Sequence, residues 1–191
     1  MMEDELKLIS EAIVGNENSF ELLLKPYIKN ARQTAYLLLH DYNLAEDAVQ
    51  EALIQTHISL SNYESERSLF KTWFNKVVIN CSLKIARKKS FWSKLDNDLL
   101  NRETPEKKSL LDEESELIFD CVKKLSLKLK TVIILHYFQD LTIEEMSKTL
   151  SVSKGTVKSR LHNARKKLKR IMNENKVELH TWGGKETWSK N

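Results

Sequence analysis

Two consecutive segments near the C-terminal end of the chain have apolar residues at helical spacing. Ile143, Met146 and Leu150 recur at i, i+3 and i+7, which predicts a short helix with one apolar face. After a turn at residues 150–152, the same period continues in a second set of apolar residues: Val157, Leu161, Ala164, Leu168 and Ile171. The pattern predicts two successive helices that each pack one face against a core.

Polar residues mark where both of these helices begin. Thr142 and Glu145 have the spacing of a capping box, in which each side chain binds a backbone N–H group at the helix start. Ser153 is suited to cap the second helix. Between Lys154 and Arg170 there are eight Lys or Arg residues and no Asp or Glu, so the face away from the core carries a strong positive charge. This arrangement is typical of a DNA-binding helix-turn-helix.

In a helix-turn-helix the N-terminal part of the second helix enters the major groove, and later residues meet the DNA backbone. The residues near base edges would be Lys154, Thr156, Lys158, Ser159, His162 and Asn163. Arg165, Lys166 and Lys169 are placed to contact phosphates. A basic helix that only faces solvent is the alternative, but caps, turn and apolar faces all favour a DNA reader.

The rest of the chain also predicts helices. Only four Gly and two Pro occur among 191 residues, and long segments keep a 3.6-residue period, so an all-α fold is expected. The periodic segments form two small domains, residues 1–95 and 113–175, and residues 96–112 between them lack apolar periodicity. Residues 96–116 hold eight acidic and three basic side chains, which predicts a flexible acidic linker. This linker either keeps the chain soluble or lies in a channel that otherwise holds nucleic acid.

The N-terminal domain carries an acidic and amide cluster near the start of a predicted helix. Apolar spacing predicts helices over about residues 3–14, 19–39, 43–60 and 69–89, and Pro26 is expected to kink or break the second. The cluster at the third helix comprises Asp41, Glu46, Asp47, Gln50 and Glu51. Acidic side chains are favourable near a helix N-terminus, so this placement needs no function. The same cluster would also suit a basic protein partner.

The last predicted helix of this domain combines aromatic and basic residues. Phe70, Trp73, Phe74 and Val77 follow a polar loop at residues 63–68 and precede a basic stretch of Lys84, Arg87, Lys88 and Lys89. Aromatic rings stack on unpaired bases while cations bind phosphates, a combination that suits single-stranded nucleic acid. Alternatively, the apolar residues are the core face of the helix. Asn80 and the polar loop are then the better functional candidates.

Several classes of function are not expected from this sequence. No apolar run is long enough to span a bilayer and no export segment follows the acidic N-terminus, so a cytoplasmic location is predicted. Cys81 and Cys121 have no ligands at metal-binding spacing and are predicted to be buried apolar residues, with a redox pair as the alternative. The five His residues are scattered. No metal site, cofactor or catalytic cluster is predicted.

Over nearly its whole length the chain resembles an extracytoplasmic-function sigma factor of bacterial RNA polymerase. The resemblance is carried by LAEDAVQE at residues 44–51, SLFKTWFNKVVINCSLKIARKK at residues 68–89, and the segment from LSLKLKTVIILHYFQD to KKLKR at residues 125–170. GTVKSRL at residues 155–161 is fairly specific by itself. The three together at this separation make the resemblance strong.

The resemblance implies a role for each candidate set. The acidic cluster, Asp41, Glu46, Asp47, Gln50 and Glu51, corresponds to the contact with the clamp helices of core polymerase. The surface that reads and melts the minus-10 element corresponds to Tyr63, Ser65, Arg67, Trp73, Asn80, Lys84, Arg87 and Lys88. The minus-35 reader corresponds to Lys154, Thr156, Lys158, Ser159, Arg160, His162, Asn163, Arg165 and Lys166.

What the resemblance implies is a transcription initiation factor that binds core RNA polymerase, through its clamp helices and flap, and promoter DNA. The acidic linker corresponds to the segment that threads toward the active site and RNA exit path, and the polymerase performs the chemistry. Members of the family are commonly held by an anti-sigma factor, often membrane-bound. An anti-sigma partner is therefore implied, and through it retention at the membrane.

Two parts of the chain depart from the family pattern. Family members usually have Leu-Pro before the helix that precedes the helix-turn-helix, whereas Leu125 is followed here by Ser126 and Leu127. Ser126 is expected to cap that helix in place of proline. The tail at residues 176–191 exceeds the pattern and is either a flexible end or a contact for a regulator through Trp182 and Trp188.

A stand-alone transcription regulator is the alternative function. Such a protein would bind operator DNA without polymerase and would use its first domain for sensing or dimerisation. It explains the helix-turn-helix equally well. It leaves the polar loop, Asn80, the basic stretch and the acidic linker without a role.

Overall fold

The computed structural model describes residues 2–95 and 120–174, and every regular element within these ranges is helical. The chain divides into two compact units, whose described parts we call the N-terminal unit, residues 2–95, and the C-terminal unit, residues 120–174. The predicted all-α fold with two helical domains is confirmed. The predicted linker and tail lie outside the described residues.

The N-terminal unit is built from helices whose bounds lie close to the predicted ones. They are α1 (Met2–Ile13), α2 (Glu17–Leu39), α3 (Tyr42–Ser59), a short 3-10 helix (Leu60–Asn62) and α4 (Phe70–Leu95). α2 passes through Pro26 without interruption, so the possible break is not formed. A proline inside a helix costs about 3 kcal/mol, and the burial of Leu23, Leu24 and Ala31 in the same helix offsets that cost. α4 extends six residues beyond its predicted end at Lys89.

Side-chain caps fix the junctions between these helices. Asn16 accepts a hydrogen bond from the Ser19 N–H at 3.1 Å, and Asp41 accepts one from the Leu44 N–H at 3.2 Å. His40, with a positive φ of 53°, ends α2 by donating its backbone N–H to the Tyr36 carbonyl. Asp41 is therefore the N-cap residue of α3, as well as a member of the acidic cluster.

The core of the N-terminal unit lies between α2, α3 and α4. α3 contributes the small residues Ala45, Ala48 and Ala52, all buried, and these permit the neighbouring helices to approach closely. α4 contributes Phe70 and Phe74, both fully buried, with ring centroids 6.2 Å apart. The alternative assignment of these two rings to the core is confirmed.

The C-terminal unit consists of a helical turn at residues 120–123 followed by α5 (Leu127–Tyr137), α6 (Ile143–Leu150) and α7 (Lys154–Glu174). In α5 residues 130–135 and Tyr137 are buried and residues 132–135 fully so, as expected of a central core helix, while Lys128 is exposed near its start. The apolar face predicted for α7 is confirmed, since all of its members are buried: Val157, Leu161, Ala164, Leu168 and Ile171.

The start of α5 corrects one prediction. Ser126 is the N-cap residue by position, but its hydroxyl makes no capping hydrogen bond. The first turn is closed instead by the Ser126 carbonyl, which accepts hydrogen bonds from the N–H groups of Leu129 and Lys130.

Candidate nucleic-acid interface

The predicted helix-turn-helix is formed by α6 and α7. Thr142 and Glu145 make the capping box: the Glu145 N–H donates to Thr142 Oγ1 at 3.2 Å, and the Thr142 N–H donates to Glu145 Oε2 at 2.8 Å. Ser151 takes a left-handed conformation with φ of 52° and ends α6. The turn is closed by Ser147, whose hydroxyl donates to the Val152 carbonyl at 2.6 Å. The capping box, the left-handed residue Ser151 and the Ser147 hydrogen bond together position the start of α7.

The first turn of α7 uses its own hydroxyl groups. Ser153 Oγ accepts a hydrogen bond from the Thr156 N–H at 3.1 Å and lies 2.9 Å from Thr156 Oγ1, which confirms Ser153 as the cap. Ser159 Oγ donates to the Thr156 carbonyl at 3.0 Å. The hydroxyls of Thr156 and Ser159 are thus already hydrogen-bonded within the helix, and a base contact from either would share or replace these bonds.

The outer surface of α7 carries most of the predicted DNA contacts. We call the exposed residues Lys154, Lys158, Ser159, His162, Asn163 and Lys166 the recognition face. Arg160 and Thr156 are only partly exposed at its edge. Lys158 and Lys166 form no ion pair within the described part of the chain, so their ammonium groups are available to an external anion.

Lys154 differs from the other cations of the recognition face. Its ammonium group lies 3.1 Å from Glu144 Oε2 in the first turn of α6. The hydrogen bond from Lys154, followed by its charge and that of Lys148, lowers the pKa of the Glu144 carboxyl below its ordinary value. The carboxylate is therefore ionised at neutral pH beside the first residue of the recognition helix.

Arg165 points toward α5 and is partly buried. Its Nε donates to Tyr137 Oη at 2.9 Å, Nη2 lies 3.3 Å from His136 Nε2, and its guanidinium lies 5.8 Å from the centroid of the Tyr137 ring. Helical spacing alone could not reveal these partners, because they lie 28 and 29 residues away in sequence. Part of the hydrogen-bonding capacity of Arg165 thus joins α7 to α5.

In the N-terminal unit, three residues of the predicted docking cluster lie close to cationic side chains within the described part of the chain, and the other two do not. Asp41 Oδ2 lies 3.1 Å from Lys89 Nζ, Glu46 Oε1 lies 2.9 Å from Arg32 Nε, and Glu51 Oε1 lies 3.9 Å from Lys84 Nζ. Asp47 and Gln50 are exposed, and the described residues provide no ion pair for Asp47. These two residues are therefore the most accessible of the cluster.

The environment of Asp41 is reflected in its pKa. Partial burial raises the pKa, but the hydrogen bond from the Leu44 N–H and the ammonium group of Lys89 outweigh this effect, so the net pKa is lowered. The carboxylate that caps α3 therefore also holds Lys89 of α4, 48 residues away.

Two apolar residues that the sequence patterns did not single out lie next to this cluster. Ile54 and Ile58 are exposed, and they follow Asp47 by seven and eleven residues along α3, which places all three on one side of the helix. Their spacing was visible in the sequence, but an exposed and a buried isoleucine cannot be told apart without the packing of α3.

The predicted melting surface combines a shaped loop with partly exposed rings. Tyr63 Oη donates to the Ser68 carbonyl at 2.9 Å, and Arg67 pairs with Glu64 at 2.6 Å, so both ends of the loop are held by hydrogen bonds or ion pairs. The Tyr63 and Trp73 ring centroids are 5.5 Å apart, and both rings are half-buried. They lie at the surface of the aromatic core around Phe70.

The rest of the predicted melting surface lies along α4. Asn80, Lys84, Arg87 and Lys88 are exposed, and their spacing places them on one side of the helix. Ser65 is exposed in the loop. Lys84 is close to Glu51, while Arg87 and Lys88 have no ion pair among the described residues.

Other predicted features have simple structural explanations. Cys81 and Cys121 are both buried, as predicted, and burial raises the pKa of each thiol. Within residues 2–95 and 120–174 there is no group of three or more His, Cys, Asp or Glu that could hold a metal ion. None of the helices in these ranges is long and apolar enough to cross a membrane.

Comparison with known proteins assigns the two units to a class. Residues 23–91 match the family model of sigma-70 region 2, and residues 115–168 match that of sigma-70 region 4. These ranges include all the predicted docking and melting residues and the minus-35 reader as far as Lys166, while Lys169 lies one residue beyond the second range. The N-terminal unit therefore contains sigma-70 region 2, and the C-terminal unit contains sigma-70 region 4.

Individual relatives identify the family within this class of sigma factors. The RNA polymerase sigma-E factor of Streptomyces coelicolor is 30% identical over 82% of this chain and 87% of its own length. The ECF RNA polymerase sigma factor SigW of Bacillus subtilis is 28% identical over 88% of this chain and 96% of its own length. The chain therefore belongs to the extracytoplasmic-function family of RNA polymerase sigma factors.

A solved structure supports the same fold. The sigma factor RpoE of Bartonella quintana, in complex with the anti-sigma factor NepR, matches with a TM-score of 0.66 at 22% sequence identity. The match covers 81% of this chain and 96% of that one.

Proposed function

We propose that this sigma factor docks on core RNA polymerase through the exposed side of α3, reads minus-35 DNA with α7, and reads and melts the minus-10 element with α4 and the loop at residues 63–68. The observation that carries the proposal is the recognition face, a cationic surface without acidic residues that begins at a capped turn. We divide the chain accordingly into residues 1–95, a linker at 96–112, residues 113–175 and a tail at 176–191.

For minus-35 recognition, exposure supports a division of roles along α7. Lys158, His162 and Asn163 are exposed near the start of the helix and would face base edges. Lys166 follows on the same exposed surface and would contact phosphate. Arg165 would reach DNA only with the part of its guanidinium that Tyr137 and His136 leave available.

For the minus-10 element, the half-buried rings of Tyr63 and Trp73 support a stacking platform. An unpaired base that stacks on an aromatic ring gains about 1–3 kcal/mol, which helps to hold it out of the duplex. Arg87 and Lys88 would bind the backbone of the same strand, and Asn80 would contact a base. The fixed loop conformation reduces the ordering cost of binding.

For docking on polymerase, α3 offers two kinds of contact on one side. Asp47 and Gln50 provide accessible polar groups, while Ile54 and Ile58 add apolar area at the other end. An apolar patch beside charged groups suits a basic helical partner such as the polymerase clamp. Asp41 and Glu46 would support docking indirectly, by holding α3 against its neighbours.

We further infer that the chain contributes no catalytic group, needs no cofactor and acts in the cytoplasm, where the polymerase performs the chemistry. An anti-sigma partner is proposed as well, since RpoE was solved in complex with the anti-sigma factor NepR, and the related structure of CnrH was solved with the cytosolic domain of CnrY. Such a partner could retain this protein at the membrane.

Transcription in vitro tests the proposal directly. The protein is added to purified bacterial core polymerase with a pool of genomic promoter fragments, and the transcripts are sequenced. Start sites that share spaced upstream and downstream elements are the expected result. A footprint by the protein alone, with no added transcription, would instead favour the independent operator-binding regulator.

The roles of single residues are tested with the same purified components, by measuring polymerase binding and promoter opening. Asp47→Lys should weaken binding to core polymerase and leave the minus-35 preference unchanged. Asn80→Ala should impair promoter opening, measured by permanganate reactivity of unpaired thymines, more than it impairs polymerase binding. Unchanged opening with Asn80→Ala would remove that residue from the melting surface.

A further inference from the structure

The ion pair between α6 and α7 joins the two helices of the DNA reader on their solvent side. Glu144 Oε2 is 3.1 Å from Lys154 Nζ, and the other carboxylate oxygen is 3.7 Å from Lys148 Nζ. The side chains of Glu144 and Lys154 are 55% and 59% exposed, so neither is required to fill the core. Glu144 is distinct from Glu145, whose carboxylate completes the capping box.

Lys154 would otherwise be a good phosphate ligand. It is the first residue of α7, and a helix N-terminus favours anions because its N–H groups carry partial positive charge. A lysine at this position binds phosphate as a flexible point charge that does not depend on DNA sequence. The Glu144 carboxylate competes with phosphate for this ammonium group and repels phosphate by its own charge.

The ammonium group has three N–H donors, and the contact with Glu144 uses one of them. The remaining donors can reach acceptors on a base edge, such as O6 and N7 of guanine, while the ion pair is kept. A phosphate carries a full negative charge, which the adjacent Glu144 carboxylate repels, whereas these base acceptors are neutral dipoles that the carboxylate repels less. The pair thus disfavours the sequence-independent contact more than the base contact.

We propose that Glu144 is a specificity-determining residue, which positions Lys154 toward base edges and lowers affinity for DNA that lacks the minus-35 sequence. This inference rests on the proposed function, since it requires Lys154 to contact DNA. An exposed ion pair of this kind has a small effect, so the expected change in discrimination is about two- to five-fold.

The test uses full-length protein assembled with core polymerase and two DNA duplexes. One duplex is a promoter fragment recovered in the transcription assay, and the other has its upstream element replaced. Affinity is measured by fluorescence anisotropy over a series of KCl concentrations for the wild type, Glu144→Gln, Lys154→Gln and the double variant. Glu174→Gln is the matched control, because it makes the same charge change at an exposed residue that pairs with Arg170 at the far end of α7.

For Glu144→Gln we expect tighter binding to the replaced duplex and a loss of discrimination of about two- to five-fold. The slope of log affinity against log salt for that duplex should become steeper by about 0.9, the value of one added phosphate contact. In the Lys154→Gln background the Glu144 substitution should have no further effect on discrimination. Glu174→Gln should leave discrimination unchanged.

Two results separate this inference from the proposed function. If Lys154→Gln changes binding but Glu144→Gln leaves discrimination unchanged, or changes it equally in the Lys154→Gln background, the role of Glu144 is overturned alone. If Lys154→Gln affects neither duplex, the assignment of Lys154 to the DNA surface fails, and the role of Glu144 fails with it.

Discussion

The two units expose different chemistry. All the large hydrophobic side chains exposed in the described residues lie in the N-terminal unit: Leu6, Ile13, Val14, Leu22, Tyr42, Ile54, Ile58 and Leu69. In the described C-terminal unit no large hydrophobic side chain is exposed, and the exposed surface of α7 presents cations instead. Apolar area with a polar rim is what protein partners bind, whereas an accessible cationic face attracts DNA phosphates. We therefore expect the exposed apolar residues of the N-terminal unit to favour a protein contact, in addition to the minus-10 contacts proposed for α4, and the cations of α7 to favour DNA.

The units also differ in how their charges are compensated. In the N-terminal unit, Lys84 and Lys89 of α4 are close to carboxylates of α3. On the recognition face, Lys154 has such a partner, while Lys158 and Lys166 have none among the described residues. A DNA contact by Lys84 or Lys89 would therefore compete with an internal ion pair, whereas a contact by Lys158 or Lys166 would not. Four variants test this comparison.

Reversing two cations of the recognition face should have the largest effect. Lys158→Glu combined with Lys166→Glu should weaken promoter binding about 30-fold or more, since two contacts of on the order of 1–3 kcal/mol each together contribute at least about 2 kcal/mol. Affinity for core polymerase should remain at the wild-type value. Lys25→Glu combined with Lys29→Glu, at two exposed residues of α2, is the control for the same change in charge. Equal losses of promoter and polymerase affinity would contradict the assignment of these two cations to DNA binding alone.

An acidic residue in the apolar end of α3 should have the next largest effect. Ile58 is 66% exposed, so Ile58→Asp should lower the free energy of unfolding by only about 0.3–1 kcal/mol, the cost of an acidic charge in the last turn of α3. We expect core polymerase affinity to fall about ten-fold, as for loss of one anchoring side chain. Val14→Asp, at an exposed residue after α1, is the matched control. Wild-type affinity of Ile58→Asp in a pull-down titration would exclude this end of α3 from the interface.

Arg165 tests whether a cation of α7 can be chiefly structural. Arg165→Met removes the hydrogen bonds to Tyr137 and His136 but keeps an apolar stem, and should lower the free energy of opening α5 and α7 by about 1–2 kcal/mol. Hydrogen exchange of peptides from these helices measures the change. The neighbouring Lys166→Met should alter the salt dependence of DNA binding without altering exchange. If Arg165→Met and Lys166→Met had the same effects on hydrogen exchange and on the salt dependence of DNA binding, Arg165 would not be chiefly structural.

Asp41 should show a smaller, pH-dependent effect. Because its folded pKa is lowered, its contribution to stability is present above the unfolded pKa, near about 3.9, and is lost as the pH falls through the folded pKa. Asp41→Asn retains a capping side chain but loses the charge that holds Lys89. At pH 7 we expect α3 to open more easily by no more than about 1 kcal/mol, with the difference from wild type vanishing at low pH. A difference that persists below the folded pKa would contradict an electrostatic origin.

Local signals in the chain were sufficient for much of this description. The capping box at Thr142, the cap at Ser153 and the apolar face of α7 depend on neighbours within one or two helical turns, so their spacing is visible without a fold. The start of α5 was placed correctly, but the Ser126 hydroxyl makes no capping hydrogen bond, and the Ser126 carbonyl accepts the first hydrogen bonds of the helix. The break considered at Pro26 did not form, since packing elsewhere in α2 outweighed the local cost of the proline.

By itself the sequence determined the helical class, the recognition helix and the family, because periodicity, caps and motif strings are local properties. Only the tertiary structure decided which charges are accessible. It separates Asp47 from Asp41, Trp73 from Phe74 and Lys166 from Arg165, although each pair has similar chemistry and nearby positions in the chain. The physical reason is that burial and ion pairing depend on contacts between helices distant in sequence, and these contacts exist only once the units have folded.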